Sequence, residues 1–314
     1  MRKAGRIHED HWCVHCMVGS SQGQQARSMG QTQSQRHQQT DGAVQSHTRD
    51  HDKNMILETL EEKILRYWNN QPCNIRHGKS EPGSLEFFQE VSARRYRVEP
   101  HIAEFAGFHL WAGKRVLEIG PGIGSDAAEF ARHGAEYYAI DYSDESVKLA
   151  RKRFEVEGLE GEFRCGDASD PASYADLPPM DLVYSYGVIH HFPALDRIIE
   201  NVHSVLAPGG EFRFMVYAKH SWKQAMINKG LDQYEAQAGC PYARSFGKDE
   251  IADVLGEQFE ILRLRQDHCF MYNIDKYKQG EYELEPWFAA MPDAMREAVR
   301  EYLGWHLLVK ARRK

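Results

Sequence analysis

Nowhere do the 314 residues hold an apolar run approaching the ~18 residues that a membrane-spanning helix needs. The first 30 residues also lack the apolar core of a secretory signal, so a cytoplasmic protein with no membrane partner is expected. Basic charge is in deficit: the chain carries a net −7, and residues 55–314 hold 32 Lys/Arg against 41 Asp/Glu. Binding a phosphate backbone demands a basic face. Nucleic acid is therefore not the expected partner, and a small molecule is. Cysteine is sparse and scattered, at Cys13, Cys16, Cys73, Cys165, Cys240 and Cys269, without framework spacing. In a chain this long these read as reduced thiols. The local set His11, Cys13, His15 and Cys16 lacks a second ligand pair at a plausible distance. His268 and Cys269 lack partner spacing and read as structural, so no metal is expected.

Aliphatic side chains are nearly missing from residues 1–54, which are rich in Gln, Ser, His and Gly. Such a segment cannot bury enough apolar area to offset its ordering entropy, and disorder is expected over 1–54. Met55 then opens an amphipathic run in which Ile56, Leu57, Leu60, Ile64 and Leu65 share one helical face. The native chain is expected to start at Met55. An intact mass measured on the native protein tests this, and a native N-terminus near residue 1 rejects it.

From residue 114 short apolar segments alternate with helical ones. Strands are expected at 115–119, 136–140, 161–165, 181–186, 211–217, 259–266 and 305–311, and helices near 124–133, 144–157 and 194–206. Buried strands alternating with helices specify an α/β fold with a mostly parallel sheet covered on both faces. The polar, Gly- and Pro-punctuated stretches Asn69–Ser84 and Lys219–Phe246 read as connections.

Three glycines, Gly120, Gly122 and Gly124, fall where the first strand meets the first helix. Open sheets of this kind bind ligands at the carboxyl ends of their strands, and glycine lets a ligand approach the backbone closely. A dinucleotide fingerprint, G-x-G-x-x-G, needs glycine at 125. The chain has Ser125, which disfavours an NAD-linked oxidoreductase.

With Glu118 before it and Pro121 inside it, this E-x-G-x-G-x-G turn resembles motif I of the class I S-adenosylmethionine-dependent methyltransferases. Asp141, at the end of the second strand, offers two carboxylate oxygens to ribose hydroxyls, with Tyr142 and Ser143 beside it. Cys165-Gly166-Asp167-Ala168 is similar to the family's adenine-recognition segment. Leu206-Ala207-Pro208-Gly209-Gly210 matches its L-x-P-G-G turn. The resemblance covers roughly 113–217. It implies a Rossmann-like, seven-stranded body over 114–314, with S-adenosylmethionine as cofactor and Ser185, Tyr186 and Gly187 at the cofactor's edge. It also implies a helical cap over 55–113 and substrate-specific insertions at about 219–246 and 268–302.

The sulfonium makes the methyl group electrophilic, so the protein's main task is alignment. A base matters where the acceptor keeps its proton near neutral pH. His190 and His191 follow the fourth strand, and phosphobase methyltransferases carry a catalytic histidine at the position matching His191. The pattern WNxxPCxxRH…EVxxRRYxxEPH before the glycine turn resembles a group of bacterial methyltransferases of small-molecule type. Within this expected lid, Arg95 is the candidate partner of the methionine carboxylate and Tyr96 the candidate hydroxyl at the acceptor. Tyr67, Arg76 and His77 are candidates for acceptor recognition. Aromatic residues Trp222, Tyr234, Tyr242, Phe246, Phe270, Tyr272, Tyr277, Tyr282 and Trp287 are dense over 219–302. They suit a pocket wall or a homodimer contact. Oxygen, nitrogen and sulfur acceptors all stay open. A thiol or sulfide is attractive because a pKa of about 8.5 or lower leaves some anion at neutral pH. The rival readings are a protein or RNA methyltransferase, for which Arg94, Arg95 and Arg97 offer a local basic patch, and a catalytically silent cofactor-binding module.

Overall fold

Capping chemistry sets the first elements. In the computed structural model, which describes residues 58–232, 239–269, 271–279 and 281–314, Thr59 opens α1 (Leu60–Asn70) with a capping box. Its hydroxyl accepts from Glu62 N while the Glu62 carboxylate accepts from Thr59 N. Ser84 caps α2 (Leu85–Val98) by accepting from Phe87 N, and α3 (His101–Ala106) ends at the left-handed Gly107. The expectations for residues 1–54, Met55, Ile56, Leu57, Tyr234 and Phe270 lie outside the described residues.

The alternating body follows in order: β1 (Arg115–Ile119), α4 (Ser125–Arg132), β2 (Glu136–Asp141), α5 (Asp144–Glu157), β3 (Glu162–Cys165), β4 (Met180–Tyr186), α6 (Leu195–Val205), β5 (Leu206–Ala218), α7 (Trp222–Asn228), β6 (Ser245–Phe246), α8 (Glu250–Leu255), β7 (Phe259–Asp267), α9 (Ile274–Lys278), α10 (Pro286–Ala289), α11 (Asp293–Leu303) and β8 (His306–Arg313). The expected strands and helices agree with these to within two residues, except at β5. That strand starts at Leu206 because the Leu206–Gly210 turn stays paired with β4 through a register shift between Met180 and Leu182. An eighth strand, the two-residue β6, pairs with β5 off the main path. Two residues carry too little periodicity to be read from sequence.

Strand order is β3-β2-β1-β4-β5-β8-β7, with β8 antiparallel to both neighbours and the other pairs parallel. The order reverses between β1 and β4, the point at which open α/β sheets bind their ligands. Period-two alternation divides the core between the faces. Leu117, Ile119, Val183, Phe212 and Phe214 pack with residues of α6 and α8 on one side. Val116, Leu182, Tyr184 and Met215 pack with residues of α3, α4 and α5 on the other. No helix among the described residues is long and apolar enough to cross a membrane.

Arg153 is fully buried and ties three helices together. Its guanidinium donates to Ser92 Oγ of α2 at 2.6 Å and to Ser125 Oγ of α4 at 3.1 Å, and its Nε lies 3.1 Å from Glu157 Oε1 on its own α5. Removing one member of a buried charged pair typically costs ~3–5 kcal/mol. Arg153→Leu is expected to lower the unfolding free energy by about 3 kcal/mol in urea titrations, the low end because Arg132 also pairs with Glu157. An unchanged midpoint would show that the knot does not hold the helices.

Candidate functional site

A cleft opens at the carboxyl ends of β1 and β4. Gly120 and Gly122 form its floor with φ of 74° and 56°. A Cβ on Gly120 would lie 2.5 Å from both Val188 methyl carbons, so the turn admits no larger side chain there. Asp141 Oδ2 accepts from Gly122 N at 3.0 Å and Oδ1 accepts from Ser143 N at 2.9 Å. This carboxylate therefore braces the glycine turn and keeps further lone pairs for a ligand. Burial pushes its pKa up to about 6 against the pull of those two N–H groups. Glu118 accepts from the Tyr137 hydroxyl at 2.6 Å. Its pKa is raised, first by burial and then by the nearby Asp126 carboxylate.

The segment from α1 to α2, the expected cap, packs beside this floor. Asn74 adopts a left-handed conformation, which asparagine tolerates, and Cys73 Cβ comes within 3.6 Å of where a Gly122 Cβ would stand. The Trp68 ring meets His191 edge-on with centroids 5.2 Å apart, and its carbonyl accepts from Ser143 Oγ at 3.5 Å. Arg95 reaches down from α2 to make a bidentate pair with Asp126 of α4, Nε–Oδ1 3.0 Å and Nη2–Oδ2 2.7 Å. Tyr184 donates to Asp126 Oδ2 at 3.1 Å.

The cleft lining includes Glu118, Gly120, Pro121, Gly122, Asp141, Tyr142, Gly166, Ala168, Tyr186, Gly187, His191 and Arg95 from the sequence-derived candidates. Others stand behind it. Gly124 packs on Ala150. Ser143 caps α5. Ser185 donates to the Ile119 carbonyl at 3.1 Å. Asp167 accepts from Ser169 N at 2.7 Å and stands outside the lining, which its neighbours Gly166 and Ala168 join. Tyr67 supports Trp68 edge-on at 5.0 Å.

Two catalytic candidates stand away from the cleft lining. Tyr96 turns away from the cleft, its hydroxyl 3.0 Å from Asp126 Oδ1 and 3.1 Å from the Ser125 carbonyl, because the buried carboxylate needs the donor. His190 packs its ring 3.9 Å from the Tyr217 centroid, and neither ring nitrogen has a hydrogen-bond partner. Burial drives its pKa far down, so it is a packed neutral ring that lines no part of the cleft. His191 differs: it lines the cleft and lies 2.7 Å through Nδ1 from the Tyr242 carbonyl. A carbonyl can only accept, so Nδ1 carries the proton and Nε2 is the ring's acceptor.

A second cavity adjoins the first and shares Trp68, Cys73, Asn74, Arg95, Tyr186 and Gly187 with it. Arg76, His77, Arg94, Lys223, Tyr217, Tyr277, Tyr282 and Trp305 line the rest, with Glu99, His268 and His306. Asp126 neutralises Arg95, and Asp232 lies 3.3 Å from Lys223. Arg76 and Arg94 add positive charge to this lining and Glu99 a carboxylate. His77 adds none near neutrality, since burial and then Arg94 and Arg76 lower its pKa to about 3. Arg94 stacks over the Tyr282 ring at 4.4 Å. Of the aromatic residues in the insertions, Tyr277 and Tyr282 build this wall, Phe246 joins the core, and Trp222 and Trp287 stay exposed. Asp126, Lys223, Trp305 and His306 were not singled out from sequence. Asp126 follows the glycine turn, but nothing in its neighbours announces a partner 31 residues upstream.

A family profile described as a methyltransferase domain matches residues 117–214. Residues 117–214 are a methyltransferase domain. The chain is 28% identical over 171 residues to a fatty-acid O-methyltransferase of Mycolicibacterium smegmatis, covering 52% of this chain and 61% of the relative. It is 33% identical over 170 residues to the phthiotriol/phenolphthiotriol dimycocerosates methyltransferase of Mycobacterium tuberculosis, covering 49% and 60% respectively. The matched stretch thus spans about three fifths of these curated relatives. Among solved structures, the magnesium protoporphyrin IX methyltransferase of Synechocystis with bound S-adenosylhomocysteine superposes with a TM-score of 0.51 at 17% identity, over 82% of this chain and all of that one. The fold of the methyltransferase domain is therefore the Rossmann-like one expected.

Asp126→Ala removes the bidentate partner of a buried guanidinium that joins the cap to the methyltransferase domain. Unfolding stability is expected to fall by about 3–5 kcal/mol in denaturant titrations. A loss below about 1 kcal/mol would show that the pair does not fasten the cap.

Proposed function

We propose that the protein is an S-adenosylmethionine-dependent methyltransferase acting in the cytoplasm on a small anionic acceptor, such as a carboxylate or a thiolate. The observation that carries this reading is the pair of adjoining cavities. One is built on the glycine turn and the acidic strand ends, and the other on arginine and aromatic side chains. The cap-derived residues common to both, above all Trp68 and Arg95, flank the passage between them.

The residues present fit the cofactor. Gly120 and Gly122 let it lie against backbone, and the lone pairs that Asp141 retains suit ribose hydroxyls. Tyr142 and Phe192, edge-on at 5.6 Å, offer faces to a purine. Arg95 spends Nε and one Nη2 proton on Asp126 and keeps the others for a carboxylate. When bound, S-adenosylmethionine supplies a methyl group activated by its sulfonium. The Trp68 lid excludes water and fixes the acceptor's line of approach, and such positioning contributes ~7–11 kcal/mol. His191, held by the Tyr242 carbonyl, turns Nε2 into a proton acceptor for substrates that arrive protonated.

The relatives' names support a small-molecule acceptor, and a fatty acid in particular presents a carboxylate. A wider depression of about 1700 Å³ leads to the acceptor cavity past Arg97, Arg265, Arg296 and Arg300.

Calorimetry with S-adenosylhomocysteine and transfer of an isotopically labelled methyl group to sulfide, simple thiols and carboxylic acids test the reading. Binding, with label appearing in an anionic acceptor, is expected. Absence of binding to both S-adenosylmethionine and its demethylated product overturns it. His191→Ala is expected to lower turnover at saturating donor tenfold or more while leaving donor affinity within about twofold. Unchanged turnover would leave His191 a packing role.

A further inference from the structure

Beside the acceptor cavity, four donor groups from distant parts of the chain converge. Glu99 and His101 flank Pro100 at the junction of α2 and α3, Tyr186 ends β4, and His306 opens β8. His101 Nε2 lies 2.8 Å from the Tyr186 hydroxyl and 3.0 Å from His306 Nδ1, and the hydroxyl lies 2.9 Å from the same His306 nitrogen. The three atoms thus form a nearly equilateral triangle. Glu99 Oε2 lies 3.9 Å from His306 Nδ1, and the donor atoms of Glu99, His101 and His306 all fall within 4.8 Å of one another.

We propose that Glu99, His101 and His306, with the Tyr186 hydroxyl beside them, bind one divalent first-row transition metal ion in the wall of the acceptor cavity. Ligand bonds of ~2.0–2.1 Å put neighbouring octahedral ligands about 2.9 Å apart and opposite ones about 4.1 Å apart. The triangle matches the first spacing and the Glu99–His306 separation approaches the second. Two imidazoles and one carboxylate suit zinc or ferrous iron. The side chains of His101 and His306 are nearly buried. His268 stacks on His306 with centroids 4.5 Å apart and fixes that ring's plane.

Glu99, Tyr186 and His306 also line the acceptor cavity. The ion's remaining positions therefore face the space where an anionic acceptor atom docks. That role rests on the methyl-transfer reading, whereas occupancy of the site does not.

The test reads the metal directly. Full-length protein purified without chelator is assayed for bound metal by mass spectrometry. It is then stripped and titrated with Co²⁺, whose visible absorption bands report its ligands. His11, Cys13, His15 and Cys16 offer a competing set in the same chain. The decisive quantity is therefore the equivalent lost in the H101Q/H306Q variant and kept in a C13A/C16A variant. One such equivalent is expected, with Glu99→Gln weakening Co²⁺ affinity at least tenfold and circular dichroism confirming that each variant folds. Wild-type protein that binds less than 0.1 equivalent beyond H101Q/H306Q, or affinity unchanged in both H101Q/H306Q and Glu99→Gln, overturns the proposal and leaves the triangle as a hydrogen-bonded knot. Should H101Q/H306Q fail to fold, Glu99→Gln alone decides by the same criterion. Donor binding measured on the same samples shows separately whether the methyl-transfer reading stands.

Discussion

The bidentate contact between Arg95 and Asp126 fastens the cap to the sheet body, and most of the site's geometry depends on it. Asp126 is almost fully buried, and a buried carboxylate is tolerable only when its oxygens are paired. Arg95 supplies the countercharge, while the Tyr184 and Tyr96 hydroxyls supply further contacts. Because those partners come from α2 and β4 and the carboxylate itself from α4, satisfying one charge ties three elements together. The same constraint holds the Tyr96 hydroxyl on Asp126 and the Ser125 carbonyl.

Once the cap is fixed, the two cavities follow. Cys73 and Asn74 lie over the glycine turn, and Trp68 lies against His191. The cleft at the glycine turn owes its floor to the main chain of that turn. The adjoining cavity owes its character to side chains drawn from both ends of the sequence. Two of its cations, Arg95 and Lys223, are matched by buried or nearly buried carboxylates, and Arg76 and Arg94 stand in the same lining. An acidic chain thus gathers several cationic side chains at one cavity, which its net charge alone does not reveal.

Much of the body was legible in the sequence because its signals are local. Hydrophobic alternation gave the strands, and Gly120, Gly122 and Gly124 marked the ligand turn. Asp141 was legible by its position at a strand end. The errors at β5 and β6 have the same root: a turn motif that stays in register with its neighbour, and a strand of two residues, leave no periodicity to detect. His190 and His191 looked equivalent as neighbours in sequence. They part because the short 3₁₀ turn at Ile189–His191 packs one ring against Tyr217 and turns the other into the cleft.

The sequence by itself determined the sheet, the glycine turn and the family to which residues 117–214 belong, since each is written in contiguous residues whose spacing follows backbone geometry. Only the tertiary structure decided which side chains meet. His101 and His306 are 205 residues apart, and Arg95 and Asp126 are 31 apart. No periodicity relates such residues. Their meeting is set by strand order and by the burial cost of unpaired charge, both of which act only after the chain has closed on itself.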